Sequence, residues 1–132
     1  MSPSRAAFSL LEIIVVLAIV FAFAAMAIVV ISDVLYLHYM EDAKVDVTKM
    51  KMKALEKAAL AYEKKHHSWP TDVRILAFPS DGSPPYIEED VIYDGWGKKF
   101  AIELLQDEAG ATKPMFSTTS PNGDRITSWD KN

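Results

Sequence analysis

Ala7-Phe8-Ser9-Leu10-Leu11-Glu12-Ile13-Ile14-Val15-Val16-Leu17-Ala18-Ile19 places a lone carboxylate at the head of an apolar run. From Ile13 to Ile31 there is no charged residue, no proline and no glycine, which is long enough for a helix to cross a bilayer. A charge inside such a helix costs at least ~2.5 kcal/mol on insertion scales, so Glu12 needs a physical role. Arg5 precedes the run, and Asp33, Glu41 and Asp42 follow it. That asymmetry predicts a cytoplasmic N-terminus and an exported C-terminal part.

Two general explanations of the run are open. Ala25-Met26-Ala27 offers the small-residue pattern of a cleaved secretory signal, although the run exceeds a signal core and contains Glu12. A plain membrane anchor is the other, with Ser9-x-x-Glu12 acting as a capping box at the interface.

Composition narrows the function classes. The chain has 132 residues and a formal net charge of -4, so no basic balance points to nucleic acid. It contains no cysteine, which excludes disulfides and disfavours zinc or redox chemistry. No nucleophile–base pair or phosphate-binding loop stands out, so an enzyme is not expected.

Helical signals continue from Ser32 to Lys65. Val47, Met50, Ala54, Ala58 and Ala61 recur at spacings of three and four, widened by Leu55, Ala59 and Tyr62. These residues predict one apolar stripe packed on a small domain. From Phe8 to His67 such a helix runs about 90 Å, more than a small domain covers. Its first half therefore belongs in lipid or against other chains. His66-His67 suits a fraying last turn better than a metal site, because adjacent helical residues do not share a face. Trp69-Pro70 ends the helix.

Beyond Pro70 the texture changes. Thr71–Leu76 reads as a short helical turn capped by Thr71 or Asp72, and Phe78–Tyr86 as a loop rich in Pro, Ser, Asp and Gly. Lys99–Leu105 and Lys113–Thr118 read as a β-hairpin closed by Gln106–Ala111, with a third strand near Val91–Tyr93. The fold class predicted is α+β: a long N-terminal helix packed on a small antiparallel sheet.

The start of the chain resembles the type IV prepilin signal: a small residue, then Phe8, then a glutamate in fifth place, then a long apolar helix. Later segments resemble the type II secretion major pseudopilins within that superfamily. Tyr62 followed by Trp69-Pro70 resembles their helix end and "YP" turn, and Pro85-Tyr86-Ile87 their "PYL". Asp94-Gly95-Trp96-Gly97, then Lys98-Lys99-Phe100, resembles their "DPWGNPY" with Gly95 in the proline's place. Ser117-Thr118-Thr119-Ser120-Pro121-Asn122-Gly123 resembles the "YSLGPDG" before their calcium loop. The chain departs from the superfamily in having Ala7 where Gly is usual, and no Gly or Pro within Phe21–Ile31.

The resemblance implies a pilin-like fold divided into a leader (1–7), a transmembrane and assembly helix (8–31), the periplasmic half of that helix (32–68) and a globular part (69–132). It implies cleavage between Ala7 and Phe8 by a prepilin peptidase, N-methylation of Phe8, and pairing of Glu12 with the terminal amine of a neighbouring subunit. Calcium is the implied cofactor, with Asn122, Asp124, Ser128 and Asp130 as candidate ligands; Asn122 stands where the family has an acid, and Asp130 matches its later aspartate. The expected function is a structural subunit of the periplasmic pseudopilus, anchored in a bacterial inner membrane by one span. Its partners are further copies of itself, the peptidase, minor pseudopilins and an inner-membrane assembly platform. A type IV pilin for adhesion, motility or DNA uptake, and a membrane-anchored periplasmic binding domain, are the alternatives.

Overall fold

The computed structural model describes residues 9–131. Helix α1 runs unbroken from Leu10 to His66. Its continuity follows from composition, since no glycine or proline occurs between Ser9 and Ser68. Two compact units divide between Met40 and Glu41.

In the first unit every described residue is exposed. Leu10, Phe21, Phe23 and Ile28 all lie open, and the most apolar window of α1 has a mean hydropathy of 3.3 with none of it buried. This segment is long and apolar enough to cross a membrane. Ser32, the first polar side chain after the run, turns its hydroxyl back onto the Ile28 carbonyl at 2.8 Å. That bond satisfies the hydroxyl without an outside partner.

The second unit holds the core. Met52, Leu55, Ala58 and Ala59 of α1 pack with Val73, Leu76 and Ala77, with Ile92, and with Phe100, Phe116 and Ile126. Each fully buried Leu, Ile, Val, Met or Phe among them contributes about 1.5–3 kcal/mol. Of the expected stripe, α1 buries Leu55, Ala58 and Ala59 fully and Ala54 and Tyr62 in part, and it adds Thr48 and Met52. Val47 and Met50 are exposed. At that end Thr48 takes the buried place, because it occupies the contact where the Asp94–Gly97 turn meets the helix, and a hydropathy pattern does not select threonine for a core.

Helix α2 (Val73–Ala77) begins as expected at Asp72, whose carboxylate accepts the Arg74 N–H at 2.9 Å. The sheet is three-stranded and antiparallel in the order β1 (Ala101–Gln106), β2 (Thr112–Thr119), β3 (Arg125–Thr127). Ala101 lies opposite Ser117 and Gln106 opposite Thr112, so the expected hairpin is present. The third strand is not Val91–Tyr93. Residues Glu89–Ile92 form a 3-10 turn, and Tyr93 makes only an isolated bridge to Lys99. The turn that starts at Asp94 leaves no length for a ladder there.

Pro114 sits inside β2 because β3 pairs only with Ser117, Thr118 and Thr119. The Phe116 N–H points to the β3 side, donating to the Ser128 hydroxyl at 3.0 Å. Alternation aims the missing Pro114 N–H to the same side, where no strand remains to accept it.

Candidate functional site

The expected processing residues Ala7 and Phe8 lie outside the described residues. The description opens with Ser9, whose hydroxyl accepts the Glu12 N–H at 3.2 Å, while its carbonyl accepts the Ile13 N–H at 3.1 Å. Ser9 thus caps α1, as the Ser9-x-x-Glu12 spacing predicts. Glu12 is exposed and lines a shallow apolar groove of about 220 Å³ with Ile13, Val16 and Leu17. Among the described residues no side chain bonds or pairs with its carboxylate.

A second cluster lies in the Asp94–Gly97 turn. Asp94 is 3 % exposed. One carboxylate oxygen accepts the N–H groups of Trp96 and Lys98 at 2.9 and 2.8 Å, and the other accepts the Thr118 hydroxyl. The turn is thereby folded on its own aspartate and tied to β2. Against α1, the Gly95 N–H donates to the Thr48 hydroxyl at 2.9 Å, and that hydroxyl donates to the Lys44 carbonyl at 2.7 Å. A Cβ at Gly95 would come within 2.5 Å of the Lys44 carbonyl oxygen. The Trp96 indole N–H donates to Glu41 at 3.1 Å, and Glu41 lies 3.6 Å from the Lys44 ammonium. Trp96 packs against the core. The cluster positions a turn on a helix and presents no reactive group. Sequence reading found Asp94 and Trp96 but missed Thr48, which carries no motif.

The four calcium candidates are engaged separately. Asn122 and Asp124 occupy the exposed β2–β3 turn, closed by the Ser120 N–H to Asp124 carbonyl bond at 2.9 Å. The Ser128 hydroxyl accepts the Phe116 N–H. Asp130 directs one oxygen to the Thr127 N–H and the other to the Thr127 hydroxyl, both at 2.8 Å. The two Thr127 bonds hold its carboxyl below the ordinary range, the backbone bond most strongly. Calcium requires six to eight oxygens. Among the described residues no group of three or more His, Asp or Glu side chains gathers to hold a metal.

His66 and His67 end α1, His67 with φ 56° in the left-handed region. The His66 ring stacks on Tyr62 at 4.2 Å and lies 3.2 Å from Asp81 and 3.3 Å from the Tyr86 hydroxyl. It clasps the Phe78–Tyr86 loop to the helix end.

No family model matches the chain, and neither a curated protein nor a solved structure matches it.

Proposed function

We propose that the chain is a membrane-anchored structural subunit that polymerises through its N-terminal helix, as the major pseudopilin of a type II secretion system. The observation that carries this reading is the first unit of α1: a membrane-length apolar helix, exposed throughout, with Glu12 near its start. A carboxylate in such a helix is stabilised by an opposite charge from another chain once both leave water. The amine created by cleavage before Phe8 would be that charge, and the sequence order of leader, Phe8 and Glu12 supports it. The Asp94-Gly95-Trp96-Gly97 turn adds support by fixing the globular part to the stem that carries the assembly helix.

In this reading the subunit waits in the inner membrane with its C-terminal part in the periplasm. It then joins a short filament that drives export of folded proteins across the outer membrane. Calcium is proposed only as a ligand that would require the C-terminal turn to rearrange.

The test is mass spectrometry of the mature N-terminus in cells with and without prepilin peptidase. The expected result is a methylated Phe8 terminus that depends on the peptidase. An N-terminus at Met1 or Ser2 in peptidase-positive cells would overturn the reading and favour a plain anchored domain.

A further inference from the structure

On the second unit, α1, the segment after it, the start of β2 and the segment after β3 converge on a groove of about 420 Å³. Trp69, Trp129, Leu60 and Pro114 supply its apolar lining, and Glu56 and Lys113 its charges. A volume of this size suits a small ligand or a single large side chain. Leu60 is 45 % exposed and Trp129 37 %, so both are open to an occupant of the groove.

The two charges are not equivalent. The Lys113 ammonium lies 2.9 Å from Asp107 and is neutralised within its own hairpin. Among the described residues no cation is in ion-pair contact with Glu56. The groove therefore holds one under-compensated negative charge among aromatic and aliphatic walls.

We propose that this groove is a docking site for an arginine side chain of a partner protein. A guanidinium is planar and weakly hydrated, stacks on tryptophan faces and pairs with carboxylates. Its methylene stem covers the Leu60 and Pro114 surface while the head reaches Glu56. An acidic occupant would repel Glu56, and a neutral apolar one would bury that carboxylate further without compensation.

The test uses the full chain in detergent micelles with nitrogen-15-labelled tryptophan. Trp69, Trp96 and Trp129 give three indole signals, and Trp96, bonded to Glu41 and absent from the groove lining, is the internal reference. N-acetyl-arginine amide is titrated against its neutral isostere, N-acetyl-citrulline amide. The expected result is saturable movement of the Trp69 and Trp129 signals, with Trp96 still. Citrulline amide is expected to bind about tenfold more weakly, and Glu56→Gln to abolish the preference. Equal response to both probes, movement of all three signals, or no movement overturns the proposal. The comparison of probes on the unsubstituted chain decides the matter even if Glu56→Gln unfolds.

Discussion

Gly95 is the one glycine among the described residues at which an added Cβ would meet other atoms. Its backbone lies against α1 so closely that a methyl group would meet the Lys44 carbonyl oxygen at 2.5 Å. Backbone on both sides leaves no flexible side chain to give way. Gly95→Ala is expected to destabilise the second unit by about 1–3 kcal/mol, read as a lower thermal midpoint in detergent; an unchanged midpoint would show that the turn is not seated on α1. Asp130 acts chiefly through its hydrogen bonds to Thr127, with weaker attraction from Lys49 and Arg125. Its carboxyl is held below the ordinary value of 3.8 in the folded chain, so the folded state takes up that proton less readily than the unfolded state. Its stabilisation is therefore complete above the ordinary range and is lost as pH falls through the lowered value. Asp130→Asn is expected to lower the thermal midpoint at neutral pH equally in calcium and in chelator, with the difference from the parent chain shrinking in acid. A loss seen only in calcium would instead identify Asp130 as a metal ligand.

At the scale of the element, α1 shows two different ways of being stable. In its first unit every described residue is exposed, so the chain itself does not bury these apolar side chains. Its second unit is held by a stripe of Thr48, Met52, Leu55 and Ala59. Replacing Leu55, which is fully buried, by Ala is expected to cost about 2–5 kcal/mol. Met50→Ala, at a site 69 % exposed, is expected to stay within about 0.5 kcal/mol. Denaturant midpoints of the two variants measure the helix face directly, and equal losses would restore the Val47–Met50 row. The sheet shows why short strands escape sequence reading. β1 and β2 carry alternating or β-branched residues over six and eight positions. β3 has three residues and one apolar side chain, Ile126, so no periodicity exists to be read. It is a strand because Ser117–Thr119 offers it an edge.

For the whole molecule, the proposed function turns on whether Glu12 pairs between chains. Glu12→Ala is expected to leave peptidase processing intact and to abolish filaments, scored by electron microscopy of cells overproducing the subunit. Normal filaments would remove the intermolecular pair from the proposed function. The chain's own covalent order settles a great deal. The absence of glycine and proline from Ser9 to Ser68 specifies one continuous helix, the uncharged run from Ile13 to Ile31 specifies a membrane-length segment, and Trp69-Pro70 stops it. These are local properties, set by backbone sterics and side-chain transfer energies over neighbouring residues. The tertiary structure alone decided that Thr48 rather than Val47 faces the core, that Gly95 sits on the Lys44 carbonyl, and that Asp130 is bound to Thr127. It also brought Glu56 to one groove with Trp69 and Trp129, two tryptophans sixty residues apart in the chain. Each of those outcomes depends on which surface a distant segment presents, and no pattern of neighbouring residues encodes that.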